Sequence, residues 1–272
     1  MIRNALNRLV NDRNGKWIRR IADDVIELIA PSRCIDCGLF APNGWSCEAC
    51  RGQVRWWDER WCPLCGIPTE HSHATYCPSN KSRASKQTTN RRNQSECRMS
   101  GEYAGVLRSA CLALKKADGL WLADTLARDW WERHGDWAVR DGECFLVPIP
   151  RHWSRRWLEG HDPAYALAEA LRRIWPKERS GKPAKVAPIL KRTRATQRLA
   201  SLDPIERSKA VESLFDLSKN DERKARSANR LILVDDICTT GATALSAAKR
   251  LRKAGARRID LIAMARTLEN RA

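Results

Sequence analysis

Cysteine and aspartate carry most of the chemistry legible in this 272-residue chain. Seven of its eleven cysteines lie between Cys34 and Cys77, and six of those seven form three C-x-x-C pairs. Cys34-x-x-Cys37-Gly38 and Cys47-x-x-Cys50 flank a stretch containing Pro42, Asn43 and Gly44. Two such knuckles on a hairpin present four thiolates tetrahedrally, the arrangement of a closed structural zinc site. A second set starts at Cys62-Pro63-Leu64-Cys65-Gly66 and includes Cys77, but Asn80 stands where a fourth thiol is expected. Either His71 or His73 completes a Cys₃His site there, with His73 the position chosen, or the ribbon has lost its metal and is held by Trp56, Trp57 and Trp61. Cys97, Cys111, Cys144 and Cys238 are scattered and read as buried thiols.

The second chemical stretch is Leu231 to Thr243, LILVDDICTTGAT. Four apolar residues have the length and branching of a buried parallel strand. Asp235 and Asp236 are expected to stop it. Thr239, Thr240, Gly241, Ala242 and Thr243 then read as a tight turn into a helix over 244–254. Ligands of open α/β sheets sit outside the carboxyl ends of strands. A small, hydroxyl-bearing turn at a helix N-terminus offers amides to a phosphate. Ionised carboxylates accept hydrogen bonds only, which suits the vicinal hydroxyls of a sugar.

The elements that must position these groups follow the same pattern. Apolar spacing predicts helices over 17–30, 106–116, 121–134 and 163–175, and strands over 144–150 and 258–264. Residues 81–98 carry six Lys or Arg against Glu96 alone and read as a basic linker. The expected organisation is an amphipathic helix (1–30), a double zinc-ribbon module (31–80), a linker (81–100) and an α/β domain (101–272). Lys115, Arg151, Arg155, Arg192, Arg194 and Arg207 are the cations placed to meet a phosphorylated ligand, and a basic loop over 190–199 would close over it. A formal charge of +18 favours polyanionic partners. With no long apolar run and no signal-peptide core, a cytoplasmic protein without disulfides or transmembrane segments is expected.

The 231–243 stretch resembles the 5-phosphoribosyl 1-diphosphate (PRPP) signature of type I phosphoribosyltransferases, and it is not a P-loop, since no Gly-Lys-Ser/Thr follows. The resemblance implies a parallel sheet flanked by helices. It implies that Asp235 and Asp236 bind the ribose hydroxyls and support catalysis, that residues 239–243 hold the 5-phosphate, and that Mg²⁺ accompanies PRPP. With the cysteine ribbons, Tyr103 to Lys115, VPIP at 147–150, KRTRATQ at 191–197, and Arg207 with Phe215, nearly the whole chain is similar to the ComF family. That likeness implies a phosphoribosyltransferase homologue with a double zinc ribbon, some of whose relatives act in DNA uptake beside a helicase component. Two positions depart from the pattern: Glu159-Gly160-His161-Asp162-Pro163 replaces the usual Arg-Gly-Phe-Asn-Gln, and Ala210 stands where an Asn is common. Two functions remain open: pentosyl transfer to an acceptor that no residue identifies, or a PRPP-sensing module that engages DNA or a protein partner.

Overall fold

The computed structural model describes residues 32–41, 44–69, 95–151, 161–176, 184–193 and 214–268. The expected 17–30 helix, most of the basic linker, and His71, His73, Cys77, Arg155, Glu159, Arg194, Arg207 and Ala210 lie outside them. The boundary between two compact units falls between Gln53 and Val54.

The first unit contains the Cys34 turn and a short helix α1 (Glu48–Gly52), capped by the Cys47 sulfur accepting from the Cys50 amide. Arg33 pairs antiparallel with Phe40 across the turn. Trp45 and Ala41 are fully buried in it, a small core for a segment that otherwise has few apolar side chains.

The second unit is built on five parallel strands. They are β1 (Cys97–Glu102), β2 (Phe145–Pro148), β3 (Lys185–Val186), β6 (Leu231–Cys238) and β7 (Ile259–Arg266), in the order β1-β7-β6-β2-β3. A separate antiparallel pair joins β4 (Lys191–Arg192) to β5 (Phe215–Asp216). Helices cover both faces. Leu231 and Leu233 pack in one core with Ala247 and Leu251 from α6 (Ala242–Lys253), with Ala254 that caps it, and with Ala225 from α5 (Lys219–Ser227). On the other face lie α2 (Gly105–Leu114), α3 (Leu122–Val139) and α4 (Pro163–Ile174), which contact β7, β1, β2 and β6. Burial on both faces explains why Leu231–Val234 is an uninterrupted apolar run, not an alternating one.

Local chemistry sets the boundaries. Asp162 accepts from the amides of Ala164 and Tyr165 and Pro163 occupies the first helical position, so α4 starts as expected. Helix α3 runs to Val139, five residues beyond the expected His134, because Trp137 and Ala138 also face inward. Gly255, at φ +98°, turns the chain after α6 toward β7. The amino end of the sheet is tied by a buried ion pair: Arg230 Nε donates to Asp260 Oδ2 at 2.7 Å and its Nη1 to the Ala138 carbonyl at 2.8 Å.

Residues 55–57 extend the sheet at its β1 edge. The Trp57 amide donates to Ser100 O at 2.8 Å, the Glu102 amide to Arg55 O at 2.9 Å, and Trp56 bridges antiparallel to Gly101. Gly101 permits this approach, since a Cβ there would lie 2.6 Å from the Arg55 carbonyl oxygen.

Candidate ligand site and metal centre

The acid pair sits inside a strand, which corrects the expectation that it ends one. β6 continues to Cys238 because β7 keeps pairing with it, Asp235 opposite Ala263 and Cys238 opposite Arg266. On its other flank the partner stops: β2 pairs only as far as Pro148 opposite Val234, and the last bond runs from the Ile149 amide to Val234 O. Pro150 has no amide with which to continue. The acids therefore occupy the carboxyl end of β6, where among the described residues no strand pairs with one of its flanks.

Asp236 is 9 % exposed, and its Oδ1 accepts from the Ile237 amide at 3.0 Å. Its Oδ2 is buried and has no hydrogen-bond partner within the described residues. Lys115 Nζ lies 3.6 Å from Oδ2 and Arg151 Nη2 3.8 Å, within ion-pair reach but too long for hydrogen bonds. Charge is thus compensated while a lone-pair direction stays open. Asp235 Oδ1 accepts from the Asp236 amide at 2.9 Å. Burial, then the Asp236 carboxylate beside it, push the Asp235 carboxyl well above the usual range.

Lys115 is the C-cap of α2, which delivers it from one side; Arg151 follows β2 and arrives from another. Next in the chain, Thr239 and Thr240 are exposed and Gly241 adopts the left-handed conformation at φ +78°. The Ala242 amide donates to Thr240 Oγ1 at 3.3 Å. The helix begins at Ala242, two residues earlier than expected, and Gly241 offers no side-chain cap. Amides of its first turn are presented toward solvent with the positive end of the helix dipole. The structure thus joins Asp236, Lys115 and Arg151. Arg192 has a different setting, on β4 with its guanidinium 5.8 Å from the Phe215 ring centroid.

The four cysteines of the first unit form the metal centre. All four sulfurs of Cys34, Cys37, Cys47 and Cys50 lie within 4.8 Å of one another, and Cys37 and Cys47 Sγ are 3.5 Å apart. A tetrahedron with ~2.3 Å zinc–sulfur bonds has edges of about 3.8 Å, so the donor set fits Zn²⁺. Burial works to raise the Cys34 thiol, but the amides of Cys37, Cys47 and Asp36 outweigh it and bring it to about 6. Cys50, in contact with the Cys37 and Cys47 sulfurs, is pushed far up. Thiolates packed this closely cannot all ionise alone, and a dication resolves that conflict.

Sequence spacing treats Cys97 as isolated. In the fold its amide donates to Pro63 O at 2.6 Å, setting β1 against the Cys62–Cys65 turn. Burial, then Cys238 and Cys62, raise the Cys97 thiol far above its ordinary value. Nothing in the spacing reports this pairing; only the edge position of β1 creates it. The described cysteines form no disulfides, and no helix among the described residues is long and apolar enough to cross a membrane.

Residues 25–80 match the double zinc ribbon domain family. The chain is similar to competence protein F of Haemophilus influenzae, 27 % identical over 86 % of this chain and 96 % of that protein. It is also similar to the DNA utilization protein YhgH of Escherichia coli K12, 24 % identical over 89 % of this chain and the whole of that protein. YhgH of Shigella flexneri shows the same identity and coverage.

Proposed function

We propose, for this homologue of competence protein F with its amino-terminal zinc ribbon, that the open flank of β6 binds PRPP with Mg²⁺ and that the protein serves DNA uptake or utilization. The observation that carries the ligand reading is the buried, unbonded Asp236 Oδ2 between two cations. Such an acceptor is costly when left unpaired, and a ribose hydroxyl is a donor of the right kind. The turn at 239–243 would take the 5-phosphate on its amides. Lys115 and Arg151 would face the diphosphate and offset its charge as it departs. Mg²⁺, when bound, would neutralise diphosphate oxygens; the oxygen donors of Asp235 and Asp236 suit a hard cation.

In the transfer, the bond from ribose C1 to the diphosphate oxygen breaks as an acceptor nucleophile bonds to C1 and gives up its proton. Asp235 and Asp236 would orient the ribose and stabilise positive charge developing on it. The nucleic-acid role rests on the names of the relatives and on the +18 charge. A DNA strand or a helicase component is the partner this role implies.

The test is calorimetric titration of PRPP with Mg²⁺ into the wild type and Asp235→Asn/Asp236→Asn, with diphosphate release followed alongside. Loss of charge-assisted bonds is expected to weaken binding at least about tenfold. Because the Asp235 carboxyl is raised, affinity should climb as pH rises and that proton is lost. Diphosphate release with an acceptor makes the protein a transferase, and saturable binding without release makes it a sensor. A folded, zinc-loaded wild type that takes up no PRPP sinks the ligand reading.

A further inference from the structure

Away from the acid pair, a cleft of about 400 Å³ opens where the Cys62 turn meets α3 and β1. Trp57, Trp61 and Trp137 line it together with Arg98, Arg133 and His134. Trp57 and Trp61 stack with centroids 5.2 Å apart at 31°, and His134 meets the Trp57 ring edge-on at 5.7 Å. Trp61 is buried behind this face, whereas Trp57 is half-exposed. Arg98 lies 5.7 Å from the Trp57 centroid and 5.2 Å from that of Trp137. Its Nη2 bonds to Glu96 at 2.9 Å, which fixes the guanidinium plane. Arg133 sits 4.0 Å over the Trp56 ring. Wall and rim therefore combine an aromatic face with guanidinium cations placed beside neighbouring rings.

We propose that this cleft takes an unpaired nucleobase of a single-stranded nucleic acid, stacked on Trp57 with Trp61 as its backing. An aliphatic ligand would gain little from a wall of rings and guanidinium planes, while a planar heterocycle stacks on both. The edge of a base is also met. His134 is neutral, because burial holds it down to about 4, and its Nε2 bonds to Met99 O at 2.8 Å, leaving Nδ1 as an acceptor. Glu59, exposed at the rim, accepts from the exocyclic amine of cytosine or adenine. The size lies within the range of small-ligand pockets. The protein's net charge of +18 draws in the phosphate backbone. This inference deepens the nucleic-acid part of the proposed function and is independent of PRPP.

The probe is a fluorescein-labelled oligodeoxycytidylate, its anisotropy titrated with the full-length zinc-loaded protein without PRPP. Trp57→Ala should weaken binding about tenfold. Trp57→Phe, which keeps a stacking face, should stay within about twofold of the wild type. Unlabelled single strand should displace the probe better than a duplex of the same length. The proposal is overturned if Trp57→Ala binds as the wild type does, if Trp57→Phe falls as far as Ala, if the duplex competes equally, or if the wild type does not bind. PRPP calorimetry on Trp57→Ala should match the wild type, so failure of the ligand reading and failure of this one are seen separately.

Discussion

Cys34-Ile35-Asp36-Cys37-Gly38 and Cys62-Pro63-Leu64-Cys65-Gly66 close with the same backbone bonds. In the first, the Cys34 amide donates to Leu39 O at 2.7 Å and the Gly38 amide to Cys34 O at 2.9 Å. In the second, Cys62 donates to Ile67 O and Gly66 to Cys62 O, both at 2.9 Å. Gly38 and Gly66 sit at φ +75° and +69°. What differs is what each turn leans on. The first faces Cys47 and Cys50 and completes a four-sulfur centre. The second hands the Pro63 carbonyl to Cys97 on β1 and buries Trp61, and among the described residues no comparable sulfur cluster forms around it. Among the described residues, one turn geometry is thus closed by a sulfur cluster in the first case and anchored on a sheet in the second.

The sharpest way to break this comparison is to remove the metal. Zinc supplies on the order of 10–16 kcal/mol to finger peptides. Chelation should therefore abolish hydrogen-exchange protection at the amides of Cys34, Gly38 and Ala41, while those of Cys62, Gly66 and Trp57 stay protected. Equal loss at both turns would show that the second also depends on metal. Next in size, Trp61→Ala should cost about 3–5 kcal/mol in denaturant melts of the sheet unit. Zinc stoichiometry at the first turn should not change.

The third effect is a pH dependence confined to the sheet unit. His134, ordinarily near 6.5, is held at about 4 chiefly by burial, with Arg98 and Arg133 adding to the shift and Met99 O opposing it. Its folded value is depressed, so the unfolded chain binds more protons between these values. Stability is complete above about 6.5 and falls as pH drops toward 4, by on the order of 3 kcal/mol. Thermal melts across that window should show this slope in the wild type and a flatter one in His134→Gln. The smallest difference is between Gly38→Ala and Gly66→Ala. Each incurs about 1–2 kcal/mol for the left-handed backbone. At Gly66 the new Cβ would also meet Met99 Cε at 2.9 Å and Cys97 Sγ at 3.4 Å, whereas Gly38 faces open space. Paired chemical denaturation should therefore rank Gly66→Ala below Gly38→Ala, and the reverse order would contradict the sheet-anchored reading.

The readability of these features in the sequence follows from whether they are local. The Cys34–Cys50 centre is legible because spacing and hairpin geometry determine it within a short segment. The β6 strand and the α6 turn are legible for the same reason. The extension of β6 through Asp235 and Asp236 is not, because it depends on β7 pairing from far along the chain. Lys115 could be marked as a cation at a helix end, yet its approach to Asp236 depends on how α2 packs over the sheet. Cys97 and the Trp57 cleft escape for the same reason: their neighbours come from three separate parts of the sequence.

The close approach at Gly101 also bears on how the protein can be shortened. A chain begun at residue 101, where composition suggests the α/β domain starts, would lack Arg55–Trp57 and four of the six residues of β1. Even a chain begun just before β1 would leave Ser100 O and the Glu102 amide without their partners. That bared edge is a template for strands of other molecules. Such a fragment is expected to self-associate, and the segment carrying the second cysteine turn acts as a built-in guard against aggregation.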